Sequence, residues 1–238
     1  MYDMPLNPWF VWKNKNSLAN FGIWISKLPA QVRPEERHEE IEVPGRAGSL
    51  LMLEGDDVYK SYTAEMTICV RNILNLSLIN NWLRGSSELI LSNDATKARQ
   101  ARIVGEVKFE RIGAWLQQAT VPFLFQPFRK SRNNGIDDRV TITASSGSII
   151  NPGDVASRPI VSITGSGDNE ITIAGQTMSF ANLSGTVVVD CGAQMVTKNG
   201  EIWTESVTGD FWKIPTGAST IAQTGGDSIQ IDPEWRWF

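Results

Sequence analysis

The 238-residue sequence has two cysteines, one histidine and no strong excess of either charge, and each scarcity removes a class of chemistry. Cys69 and Cys191 lie one in each half, both in strand-like segments, with no partner at metal-ligand spacing. They read as reduced core thiols, not as a disulfide. The single histidine, His38, sits in the charged run "PEERHEE", so any Ser-His-Asp or Cys-His triad would have to pass through it. No GxSxG accompanies it, and it reads as a surface residue. A zinc site built on several His or Cys ligands fails by count. With 22 basic and 26 acidic residues, for a formal charge of −4, the chain carries no basic footprint for nucleic acid. Absent too are a basic-then-apolar leader in "MYDMPLNPWF" and any apolar run approaching a membrane span. The expectation is a soluble protein with no membrane partner, made and folded in a cytoplasm.

What is present is enough apolar material, 41% of residues, for the cores of two domains. In "TAEMTICVRN", Ala64, Met66, Ile68 and Val70 alternate with Thr63, Glu65, Thr67 and Arg71, the period of a strand with one buried face. "ARIVGEVKFE" alternates in the same way and reads as a second strand. Between them "NLSLINNWLRG" predicts one short helix, capped by Asn75, with Leu76, Ile79 and Leu83 on one face and Gly85 at its end. After residue 130 the chain turns polar around Asn133, Asn134 and Gly135, which sets a boundary between domains 1–130 and 131–238. The second half consists of short alternating runs, among them "RPIVSITG", "EITIAG", "MSFANL" and "GTVVVDC", separated by Gly, Asn, Asp and Ser. That pattern predicts a β-sandwich or barrel.

Candidate chemistry is thin. Paired carboxylates for glycoside hydrolysis could come from Glu54, Asp56 and Asp57, or from Asp168 and Glu170, both sets read as lying in Gly-containing turns between strands. The plainer role for acids in turns is to accept local backbone N–H groups. "GSGD" is not followed by a helix, so it is not a phosphate loop. Nine tryptophans read mainly as core, with Trp235 and Trp237 in the tail "DPEWRWF" as a candidate aromatic interface. In "EVPGRAGSLL", Gly45 and Gly48 bracket Arg46. An anion site there lacks a following helix, so the stretch reads as a tight turn into a strand, with Arg46 either paired to a neighbouring carboxylate or facing another subunit. Together these readings give no enzyme, no cofactor and no metal.

Taken in order, "EEIEVPGRAGSLLMLEGDDVYKSYTAEMTICV", the helix with "WLRG", "ELILSND", "ATVPFLFQPFRK", "NPGDVASRPIVSITGSGDNEITIAG", "GTVVVDCGAQMVTKNG", "GDFWKIPTG" and "DPEWRW" resemble the distal tail protein (Dit) family of phages and prophages with long, non-contractile tails. The resemblance implies a mainly β fold: an N-terminal sandwich or split-barrel-like domain with one short helix, then a galectin-like C-terminal sandwich. It implies a homo-hexameric ring at the virion tail tip, a baseplate hub that joins the tail tube protein to the tail-associated protein or fibre hub. In such a protein the outer domain can carry a receptor-binding protein, and DNA only passes through the channel. The alternative is a carbohydrate-binding module for host adsorption. Galectin sugar sites use histidine among other residues, however, and this second half offers Trp203 and Glu205 with no histidine.

Overall fold

Trp12 and Trp82 are buried and each must satisfy an indole N–H, which they do reciprocally. Trp12 Nε1 donates to the Trp82 carbonyl at 3.1 Å, and Trp82 Nε1 donates to the Trp12 carbonyl at 2.9 Å. The exchange ties the first strand of the chain to a helix seventy residues later. It sits in a computed structural model that describes residues 7–53, 55, 57–71, 76–132, 138–225 and 228–238. The chain divides into two units, residues 1–132 together with Phe238, and residues 133–237. The expected helix cap Asn75, the turn formers Asn133, Asn134 and Gly135, and the carboxylates Glu54 and Asp56 lie outside the described residues.

In the N-terminal unit, β1 (Phe10–Trp12), β2 (Lys15–Asn16), β3 (Ile23–Lys27), β6 (Tyr62–Val70), β7 (Ser86–Leu91), β8 (Lys97–Ile103), β9 (Lys108–Arg111) and β10 (Gln117–Ser131) form one sheet. Its order is β2-β1-β7-β8-β10-β6-β3, with β9 also on β10. β4 (His38–Glu42) and β5 (Ser49–Leu53) form a separate two-stranded ribbon. The alternation in β6 places Ala64, Met66, Ile68 and Val70 in the core, against Val121, Phe123 and Phe125 of β10. The helix over Leu76–Trp82, α2, buries Ile79. Just beyond its end Leu83 is buried, and Gly85 turns the chain at φ +72° into β7.

Two readings of this half are corrected. "ARIVGEVKFE" is two strands, because Gly105 at φ +80° bends the chain between β8 and β9. A second helix, α1 (Ser17–Phe21), joins α2; Asn16 caps it by accepting from Leu18 and Ala19 N–H, and Gly22 closes it in the left-handed region.

The C-terminal unit holds nine strands in one sheet that folds over its own core: β11 (Val140–Ile142), β12 (Ser146–Asn151), β13 (Ile160–Ile173), β14 (Gln176–Asp190), β15 (Met195–Lys198), β16 (Glu201–Ile202), β17 (Val207–Gly209), β18 (Gly217–Gln223) and β19 (Ser228–Asp232). β13 pairs β19 through its first residues and β18 through its last, so the sheet closes around Ile163, Ile171, Trp212 and Ile231. The protein is mainly β with few helical residues.

Here the short runs of the sequence join. "RPIVSITG" and "EITIAG" belong to one 14-residue strand, and "MSFANL" and "GTVVVDC" to one 15-residue strand. Gly167 pairs Leu183 and Asn169 pairs Phe180, so β14 carries one extra residue, a β-bulge. The inserted residue flips the inward parity of β14 from Met178 and Phe180 to Leu183, Val187 and Val189. Asp168 and Glu170 therefore lie within a strand, not in a turn between strands, and Asp168 Oδ1 accepts the N–H of Asn182 in the bulge.

Trp12→Phe removes one buried donor and leaves the Trp82 carbonyl without it, a loss of about 1–3 kcal/mol. Urea unfolding followed at the N-terminal unit should show that loss, with the C-terminal transition unchanged.

Candidate functional site

The β4–β5 ribbon is held at its root by backbone bonds. Arg37 N–H donates to the Val58 carbonyl and Lys60 N–H to the Glu35 carbonyl, each at 2.8 Å, and Glu36 bridges Tyr59. His38 is half-buried at this root, with Nδ1 3.0 Å from the Glu36 carbonyl and Nε2 3.7 Å from Glu40. At the tip, Arg46 N–H donates to the Val43 carbonyl at 3.1 Å. Pro44 and Gly45, the latter at φ +82°, make this a type II turn, in which only a residue free to take positive φ fits the third position. Gly48, also at positive φ, leads into β5. Arg46 is exposed and makes no ion pair among the described residues.

Every residue from Glu39 to Met52 is exposed. The register sets Glu39 opposite Met52, Glu40 opposite Leu51, Ile41 opposite Leu50 and Glu42 opposite Ser49. Opposed residues share a face, so one face carries Glu39, Ile41, Leu50 and Met52, and the other Glu40, Glu42, Ser49 and Leu51. Leu51 is 60% and Met52 53% exposed. A two-stranded ribbon without a buried face is at best marginal in water. Grouped apolar side chains rimmed by carboxylates mark an interaction surface.

The same unit holds a cleft of about 480 Å³. Residues 28–33 after β3, strands β7 and β8, the far half of β10 and Phe238 line it. Its floor is apolar, with Leu28, Leu89, Leu91 and Phe125, and its walls carry Arg33, Lys97, Arg99 and Arg129 against the Asp94 side chain and the main-chain oxygen of Phe238. β10 aims Arg129 into it: the register on β8 runs from Phe125 opposite Ala101 to Arg129 opposite Arg99, so Gln126, Pro127 and Phe128 bulge out opposite one residue. Proline donates no ladder hydrogen bond, which suits that position.

Arg129 contacts Asp94 at 2.7 Å and donates to the Phe238 main-chain oxygen. Arg99 donates to the Tyr62 hydroxyl and lies over the Tyr62 and Phe125 rings. Burial lowers the Arg99 pKa and raises that of Tyr62, each shift opposed by the attraction between the two groups. Arg99 Nε and Arg129 Nε are buried without a hydrogen-bond partner. Reading the sequence missed these arginines, since only the proline inside the strand-like "FLFQPFRK" signals the bulge that gathers them.

In the C-terminal unit, the strand that carries Asp168 and Glu170 brings both to an open cavity of about 460 Å³ shared with Glu205 and the hydroxyl residues Ser179, Thr208 and Thr224. Asp57, the described member of the other carboxylate set, is half-buried at positive φ in a turn. No cluster of three or more His, Cys, Asp or Glu able to hold a metal occurs among the described residues. Trp235 is only 5% exposed within the core of this unit. Trp237 packs against that core and donates its indole N–H to the Pro152 carbonyl. The tail tryptophans thus spend most of their surface inside the unit. The tryptophan that projects is Trp115, 79% exposed, at the turn between β9 and β10.

No family model matches the sequence, and no curated protein matches it. The fold is shared with a solved phage protein. One solved structure to which the chain is similar is SPP1 Dit, described as a paradigm of the hub adsorption apparatus in phages that infect Gram-positive bacteria; it matches at a TM-score of 0.69 and 12% identity, over 94% of this chain and 97% of that one. At that identity the likeness is one of fold.

Cys69 and Cys191 are buried free thiols, one per unit. Desolvation pushes the Cys191 thiol up to about 12. A thiol whose pKa rises on folding favours the native state below its unfolded value and loses that contribution as pH climbs toward the folded one. Native protein at neutral pH should therefore leave Cys191 unlabelled by iodoacetamide while urea-unfolded protein labels it, and stability should fall in alkaline solution less steeply in Cys191→Ala than in the parent.

Proposed function

We propose that this chain is a structural hub of a phage tail tip, a distal tail protein whose N-terminal unit assembles into a homo-hexameric ring. The ring joins the tail tube on one side to the tail-associated host-adsorption apparatus on the other. The observation that carries the reading is the exposed β4–β5 ribbon in a fold that matches the SPP1 hub over almost its whole length. An apolar, carboxylate-rimmed ribbon whose residues from Glu39 to Met52 are all exposed is a part built for a partner. Repetition of one such contact around a closed ring would cover every copy of it without leaving a free apolar edge.

In this reading Arg46 at the ribbon tip, presented by the Gly45 turn and Gly48, touches the neighbouring subunit. The C-terminal unit is the galectin-like sandwich that projects outward and carries a receptor-binding protein. DNA passes the channel without a basic surface to hold it, in keeping with the net charge of −4. The chain performs no catalysis and works in the virion, after synthesis in the host cytoplasm.

A second reading draws on the cavity of Asp168, Glu170 and Glu205, whose carboxylates and neighbouring hydroxyls could hydrogen-bond a glycan. Affinity electrophoresis with host cell-wall polysaccharide decides it: retardation lost in Glu205→Gln supports sugar binding, and equal mobility with and without polysaccharide ends it. Trp212, 1% exposed in the core, is no probe of a surface site.

For the hub, images of purified tail tips labelled through this chain should show a six-fold ring, and light scattering of concentrated protein should show multiples of 26.4 kDa. Replacing residues 39–52 by a short Gly-Ser linker should leave both units folded and abolish the multimer, and Arg46→Ala should weaken it. A strict monomer at every concentration, with no ring in tail tips, would defeat the reading.

A further inference from the structure

We propose that the cleft of the N-terminal unit is a binding site for a small amphipathic anion, an apolar chain that ends in a carboxylate, with the chain on the apolar floor and the carboxylate at the cationic mouth. The inference goes beyond the hub reading and does not rest on it, since it concerns one subunit and a small molecule. Three observations select this class of ligand.

The first is how the cleft spends its charge. The Asp94 carboxylate serves Arg129 at 2.7 Å and Lys97 at 3.8 Å, through the same oxygen. Arg33 and Arg99 form no ion pair among the described residues. Their partners are neutral: Arg99 donates to the Tyr62 hydroxyl, and the Arg33 guanidinium lies 5.5 Å from the centre of the Phe238 ring. Burial is the main cause that lowers the Arg99 pKa, attraction to Tyr62 opposes it, and repulsion from Arg129 adds to it. A negative charge brought into the cleft favours the charged form of Arg99 through its field, while direct contact falls to Arg33, which is exposed, and to the Lys97 ammonium.

The second is the apolar surface beneath those cations. Leu28 and Leu91 are only half-buried, and Val32 beside Arg33 is 37% exposed. A purely polar anion would leave this floor wet, and a neutral apolar molecule would strip water from the cations without replacing it. A ligand that carries both parts matches both halves of the cleft, the usual plan of an apolar pocket with a few placed charges.

The third is size. At about 480 Å³ the cleft falls in the range of roughly 300–1,000 Å³ that encloses a small molecule. Its outer wall is the stretch 28–33, which belongs to no strand or helix.

The test titrates the full chain with decanoate, below its micelle-forming concentration, in a calorimeter. One site per chain should appear, and saturating decanoate should raise the melting temperature of the N-terminal unit. Decanol and decyltrimethylammonium keep the chain with a neutral or a cationic head, and acetate keeps the head without the chain. Each should bind at least about tenfold more weakly than decanoate, the loss expected when one charged hydrogen bond or the apolar contact is missing.

Arg33→Gln combined with Lys97→Gln should weaken decanoate by at least about tenfold. Leu91→Trp, which fills the floor and keeps all four cations, should abolish binding, with circular dichroism checking that the chain is folded. Trp115→Ser, at a turn that does not line the cleft, should bind like the parent. No binding of decanoate, equal binding of decanol, or a double variant that binds like the parent overturns the proposal. So does co-sedimentation with phosphatidylglycerol vesicles in the absence of decanoate binding, which would assign the cationic mouth to a membrane surface. None of these outcomes bears on the ring, so the hub reading stands or falls separately.

Discussion

The reciprocal bond between the indoles of Trp12 and Trp82 is the constraint on which the N-terminal unit turns. An indole N–H is a donor with no fallback inside a core, so burying either ring alone would leave an unpaired group. Because each finds the other's carbonyl, β1 and α2 can both be dry, and Phe10 and Phe21 stack on Trp82 to extend the same cluster. β1 then pairs β7, β7 pairs β8, and β8 pairs β10. Those three later strands are the ones that shape the cleft, so its cationic walls are placed by an apolar decision made at the far edge of the sheet.

The ribbon and the cleft divide the labour of one surface in opposite ways. In the ribbon the two strands pair only with each other, so their outer edges and their side chains are left over. In the cleft the side chains are crowded and two guanidinium nitrogens are left over. Residues 28–33 link them without a strand or helix of their own, pinned by the Glu36–Tyr59 bridge and the Glu35–Lys60 ion pair at 3.1 Å. A surface ion pair of this kind contributes little, about 1 kcal/mol or less, so the backbone bonds at the root do most of the anchoring.

How much of this was legible depends on what the sequence pattern encodes. β6 was readable residue by residue because one face is core and the other solvent, and the period of two survives intact. β14 was not, because one bulge residue shifts Leu183 out of phase with Phe180 and splits a 15-residue strand into two apparent runs. α1, only five residues long, gives periodicity nothing to repeat, although Asn16 and Gly22 stand at its ends. The run "SLLML" reads as a strand and is one, yet Leu50, Leu51 and Met52 are exposed, which makes it the most informative stretch in the chain: its apolar side chains keep much of their surface in solvent. Arg99 and Arg129 were invisible as a pair because thirty residues separate them and only the Pro127 bulge brings them together.

Phe238 clusters with the N-terminal unit, its ring against Tyr59, Phe128 and the Arg33 guanidinium. During synthesis the rest of that unit is complete at residue 132, while this last wall of the cleft is still to be made. At translation speeds of about 5–20 residues per second, the interval is on the order of ten seconds. A nascent chain therefore carries its exposed ribbon for that interval before its cleft has all its walls.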